Sequence, residues 1–255
     1  MTTIDTEHFI LFSLVFMRMS GLILMNPIFG RKNIPSIVKS GLVMVLTFAI
    51  YSFSEGTAIE ITSPIMYAFV LLKEFAAGYI LGFVMELFTF AITFAGGIID
   101  YQMGMSMATI YDPQTNSQIP LSGQIFTIYY MLLFFAVDGH LALMKILITS
   151  SQVVPYGEMV FTTGMAQAML DMFSQCVVLG VKFAFPIIAV EFLTEVGVGI
   201  LMKVIPQINV FVVNIQAKIL IGLLMLMFLF SPMSEFLQKL MTTMLKSMQE
   251  ILTLL

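Results

Sequence analysis

Between two oily stretches, 64–99 and 125–137, the chain carries Asp100, Tyr101, Gln102 and Gly104, and then Asp112-Pro113-Gln114-Thr115-Asn116-Ser117-Gln118-Ile119-Pro120. That break restricts the fold more tightly than any other feature. In a sequence of 255 residues that is 59% hydrophobic and 10% charged, its amides and hydroxyls must find water or protein, because hydrocarbon offers no partners. A loop facing an aqueous passage would satisfy them.

Such a composition places the chain among integral membrane proteins rather than soluble domains. The formal net charge of -4 is thinly spread, with no basic block, so nucleic acid is set aside as a partner. The single Cys176 lies in an apolar stretch and reads as a small buried hydrophobe, with no disulfide or redox pair to form. Asp5, Glu7 and His8 precede the first apolar run where a cleavable leader would have a basic region, so that run is expected to stay in the protein.

Apolar runs at about 9–25, 41–53, 64–99, 125–137, 172–190 and 208–230 predict roughly six helices of bilayer-spanning scale. Membrane strands are not expected, since the runs lack apolar/polar alternation. Arg18, Lys73, Glu74, Glu86, Lys182 and Lys218 interrupt these runs. Each would cost a few kcal/mol in lipid unless paired or hydrated, which suggests helices shielded by other protein, or side chains that reach an interface. Arg31, Lys32 and Lys39 after the first run, against Glu55 and Glu60 after the second, predict a cytoplasmic first loop and an external N-terminus.

Several constellations have two readings. Glu74, Gly78, Gly82 and Glu86 recur every four residues and so share a helix face, where the glycines admit another backbone and the carboxylates can meet its cations. Simple helix packing and an ion path are the alternatives. Glu191 and Glu195, one turn apart, fit a solvated helix end or a pair with Lys203 or a neighbour. Met103, Met105 and Met107 fit either core filling or an adaptable seal. Gly139 is expected to stop a helix, with His140 at an interface or cap. Pro206, Gln207 and Asn209 form a second polar interruption, read as a turn. From Ser231 and Pro232 onward, Phe236, Leu237, Leu240, Met241, Met244, Leu245 and Met248 predict an amphipathic helix over 232–255, packed on a partner or lying in the interface.

No nucleophile with companion histidine and acid, no histidine-rich metal site and no phosphate loop can be assembled. No enzyme activity, cofactor or metal is expected. A stand-alone helical permease for a small solute remains as an alternative, although the halves show no repeat.

Taken in order, Arg18 to Gly21 with Pro27, Phe29-Gly30, Pro35 and Lys39, then Glu74, Gly78 and Gly82, Gly96-Gly97, Asp100, Gln102 and Gly104, Asp112-Pro113, Gly139-His140, Pro155, and Pro206 to Phe211 resemble the FliR family of flagellar export-gate proteins, with its SctT injectisome counterparts. The resemblance covers nearly the whole chain. It implies one all-α domain over 1–255, its helical hairpins assembled with FliP-like and FliQ-like subunits into a cone-shaped gate in the bacterial inner membrane. FlhB-like and FlhA-like proteins and unfolded flagellar substrates would be further partners.

The same resemblance implies that 105–120 projects into the channel as a plug. That role falls on Met105, Met107, Tyr111, Asp112, Pro113, Gln114, Asn116, Gln118 and Pro120. Contacts between subunits are expected at Arg18, Glu74, Gly78, Gly82, Glu86, Glu191, Lys203, Gln207 and Asn209.

Overall fold

The computed structural model describes residues 2–54, 63–106, 109–112, 117–160, 162–205 and 210–255. Eight helices run through the described residues: α1 (Thr2–Met25), α2 (Ser36–Tyr51), α3 (Pro64–Gln102), α4 (Leu121–Ala136), α5 (Gly139–Val153), α6 (Thr163–Val204), α7 (Val210–Phe228) and α8 (Phe230–Leu252). The expected all-α class holds, with one addition. Between α3 and α4 stands a two-stranded antiparallel hairpin, β1 (Thr109–Asp112) and β2 (Ser117–Pro120), in the register Thr109 with Pro120 and Asp112 with Ser117.

Helices dominate because each pairs its own N–H and C=O groups, leaving only apolar side chains to the surroundings. Stretches of α1, α3 and α6 (Glu7–Met25, Pro64–Gln102 and Gly164–Val204) are long and apolar enough to cross a membrane, and α4 with α5 and α7 with α8 pass the same test as bent pairs. At 39 and 42 residues, α3 and α6 are each about 60 Å long, roughly twice a hydrocarbon core of about 30 Å.

The helices differ from expectation in three places. Within 139–153, Lys145, Thr149, Ser150 and Ser151 dilute the apolar signal of α5, but the hydroxyls of Thr149, Ser150 and Ser151 bond back to the carbonyls of Lys145, Leu147 and Ile148, which satisfies them inside the helix. Helix α6 extends well beyond 172–190 and accommodates Pro186 without ending. Gly139 is not the stop. Asp138 takes the left-handed turn (φ 57°), a conformation Asp tolerates, and buried Gly139 opens α5 where a Cβ would come within 2.7 Å of the Phe134 ring.

Two compact units are formed. One holds Met1–Phe88, Phe134–Met172 and Thr242–Leu255, and the other Thr89–Leu133 and Phe173–Met241. In the first, α1 lies backbone against backbone on α3. A Cβ at Gly78 would come within 1.8 Å of the Arg18 carbonyl oxygen, and one at Gly21 within 2.1 Å of the Phe75 carbonyl oxygen. Val15, Met19, Leu22, Leu81, Val84, Met85 and Phe88 are all buried in this unit. Asn26 closes α1: its Oδ1 accepts the N–H groups of Ile28 and Phe29. In the second unit Ile92, Ala95, Ile99, Tyr130, Cys176, Ala184 and Ile187 are buried together.

The terminal helix needs a correction as well. Amphipathic α8 does not await a partner for its apolar face. Met233, Leu237, Leu240, Met241, Met244 and Met248 are buried within this chain, so the apolar stripe is core and the polar face is what remains outside.

Gly78→Ala is expected to destabilise by about 1–3 kcal/mol or more, because a backbone carbonyl cannot move aside as a side chain can. Gly41→Ala, where the new Cβ meets nothing within 4 Å, should be neutral or stabilising by up to about 1 kcal/mol. Thermal unfolding of the detergent-solubilised variants measures both.

Candidate functional site

The central break becomes a hairpin held at its foot by Asp100. Helix α3 ends in a Schellman turn: Gly104 adopts φ 73°, its N–H donates to the Tyr101 carbonyl, and the Met105 N–H donates to the Asp100 carbonyl at 2.8 Å. Gly104 permits that positive φ at no steric cost. The Asp100 carboxylate meanwhile receives the backbone N–H of Ser122 at 3.1 Å and the Ser122 hydroxyl. One residue therefore holds both arms, the outgoing one by its carbonyl and the returning one by its carboxylate.

Small residues bring the arms together. A Cβ at Gly96 would come within 2.2 Å of Gly123, and one at Gly97 within 3.3 Å of the Pro120 ring. Pro120 pairs as the last residue of β2, and α4 starts at Leu121. Asp100, Ser122 and Gly123 are all buried. The Ser122 N–H is one of the orphan donors of the first turn of α4, so Asp100 acts as a capping carboxylate supplied from another helix. Met103, fully buried, lies against Gly222 of α7, where a Cβ would come within 2.5 Å of the Met103 side chain. Of the two readings given to this methionine, core filling is what the packing displays. Beside the foot runs an open apolar groove of about 420 Å³, lined by Phe90, Phe94, Tyr101, Ile119 and Pro120 among others.

Of the expected plug residues, Met105 is half-buried, Gln118 is exposed and Pro120 is half-buried at the foot. Tyr111 and Asp112 belong to β1. Met107, Pro113, Gln114 and Asn116 lie outside the described residues, as do Gln207 and Asn209.

Arg18 and Glu74 require correction. Expected at contacts between subunits, they are 1% and 0% exposed and meet each other inside the chain, with Arg18 Nε donating to Glu74 Oε2 at 2.6 Å. The remaining guanidinium donors reach the Val154 carbonyl at 3.1 Å and the Ser150 hydroxyl at 3.3 Å, while Gly157 N–H donates to the other carboxylate oxygen of Glu74 at 2.7 Å. Tyr156 lays its ring 4.2 Å from the Arg18 guanidinium carbon. Burial pushes the Tyr156 hydroxyl above its ordinary pKa, with the Arg18 charge opposing, so the ring carries no charge at neutral pH. Gly78 and Gly82 face α1 of the same chain, and the neighbour and cation anticipated for that helix face are α1 and Arg18.

The other charges are placed differently. Glu86 is half-buried on α3. Glu191 is fully buried in the middle of α6 and is no solvated helix end; neither of its oxygens has a hydrogen-bond partner among the described residues. Its neighbour Glu195 pairs with Lys218 of α7 at 2.8 Å, and Lys203 is exposed in the last turn of α6. Sequence reasoning passes over Ser122, Gly123, Ser150, Val154 and Gly157. The available signal was slight: a serine at the start of an apolar helix, two residues beyond a proline.

Residues 9–244 match the family described as bacterial export proteins, family 1. The flagellar biosynthetic protein FliR of Bacillus subtilis is 29% identical over 251 residues, 95% of each chain. That of Escherichia coli is 27% identical, covering 93% of this chain and 90% of the relative. The Yop proteins translocation protein T of Yersinia pestis is 26% identical over 84% of both.

Glu74→Ala leaves a buried guanidinium without its counter-charge and is expected to cost about 3–5 kcal/mol. Replacing Arg18 and Glu74 together by leucine should cost clearly less than the sum of the single changes, as a double-mutant cycle on thermal unfolding would reveal.

Proposed function

Because this chain belongs to the bacterial export proteins of family 1, we propose that it is a noncatalytic core subunit of a type III export gate, lining and closing the passage through which unfolded flagellar proteins leave the cytoplasm. The observation that carries the reading is the hairpin of β1 and β2, fixed at its foot between two apolar helices by Asp100, Ser122 and the Gly96/Gly123 contact. Strand pairing satisfies part of the backbone of each arm, the outward-facing groups are left for water, and the polar sequence between the strands suits an aqueous passage.

FliP-like and FliQ-like subunits are the proposed neighbours, with FlhB-like and FlhA-like proteins as further contacts and the inner membrane as the site. Helix length supports an assembly over a lone chain in lipid: helices of about 60 Å exceed a bilayer core, and parts of them need a cover other than lipid. Large apolar side chains such as Phe185, Phe192, Leu193, Leu224, Met227 and Phe228 are exposed along α6 and α7, a surface that either lipid or sister helices would cover. Glu86, Lys203, Gln207 and Asn209 are proposed for contacts between subunits. The family description and the name of the Yersinia relative speak for protein export over solute transport.

Deleting 114–118 should leave the complex assembled and make the membrane leaky to potassium ions. The leak is read as ion efflux from cells or from vesicles that contain the purified complex. A tight membrane with an intact complex would overturn the gating role.

A further inference from the structure

We propose that Asp100 and Ser122 form a clasp that sets the closed position of the hairpin, acting as positioning residues for the gate. The inference rests on the gating role just proposed. Three observations lead to it. Asp100 bonds both arms at the foot, through its carbonyl to Met105 and its carboxylate to Ser122. Asp100 and Ser122 are 2% and 3% exposed, so water does not compete for these bonds. The contact is charge-assisted twice over, from a backbone N–H and from a hydroxyl, which makes it stronger than the neutral ladder bonds of β1 and β2 above it.

Packing gives the clasp its leverage. Gly96 and Gly123 lie backbone to backbone one helical turn below Asp100, so the two helices cannot close further. With the helices in fixed contact beneath, the Asp100 bonds decide the angle at which both arms leave. Losing them frees the hairpin to sample open positions while the helix contact that assembly needs stays in place.

The test uses the whole assembled gate, with potassium efflux measured at equal complex yield. Loss of a charge-assisted bond should raise the open population, and hence the leak, by roughly tenfold for Asp100→Ala, with a smaller rise for Ser122→Ala, which keeps the backbone N–H donor. Asp100→Asn retains an oxygen for the N–H and an amide N–H for the hydroxyl but loses the charge assistance, and its leak should fall clearly below that of Asp100→Ala while staying above the parent's. That rescue separates positioning from simple loss of stability. If Asp100→Ala does not assemble, Ser122→Ala, which removes one oxygen atom, decides the matter. An assembled Ser122→Ala or Asp100→Ala gate as tight as the parent overturns the clasp, and so does an Asp100→Asn gate as leaky as Asp100→Ala. Where the 114–118 deletion leaks and the clasp variants do not, the gating role survives and only the clasp fails. A tight deletion variant removes both.

Discussion

The first compact unit depends on a guanidinium with nowhere to go but its partners. Arg18 sits in the middle of an apolar helix, shielded from water, and its charge is tolerable only because Glu74 of α3, the carbonyl of Val154 and the hydroxyl of Ser150 surround it. Those partners come to α1 from α3, α5 and the turn that follows α5. The pair thereby specifies one arrangement of three helices more than it adds stability, since a buried ion pair roughly offsets its own desolvation. Misplacing any of these elements would strand a charge at a cost of several kcal/mol.

Glycine makes those partners reachable. The same device recurs in the other unit, where Gly96 and Gly123 let α3 and α4 touch at the foot of the hairpin. In each case a backbone contact brings a polar side chain within bonding distance of its target: Arg18 of Glu74 in one, Asp100 of Ser122 in the other. Small residues in apolar helices thus serve polar chemistry, because close backbones bring polar side chains on neighbouring helices within reach of their targets.

Much of this was legible in the chain. The apolar runs marked most helices, the four-residue spacing of Glu74, Gly78 and Gly82 announced a close neighbour with a cation, and the order of motifs along the chain pointed to the export family that the comparisons identify. Other features were hidden for physical reasons. Charges in apolar runs suggested other subunits, but spacing along one helix cannot tell whether a partner lies in the same chain or another. The run of α5 was masked by serines and threonines whose hydroxyls are satisfied within the helix. An amphipathic stripe looks the same whether it covers a partner or its own core, so the destination of α8 could not be read from periodicity. Nor does composition reveal that a polar break is a paired hairpin, since its arms are short and its hydrogen bonds belong to the backbone.

The central claim, that the hairpin obstructs a protein-conducting passage, is tested most directly by photocrosslinking. A photoreactive residue at position 116, in an assembled gate holding a stalled export substrate, should crosslink to that substrate. The same residue at position 37, on the exposed side of α2, should not. Substrate crosslinks that are absent at 116 while the passage is occupied would contradict the account.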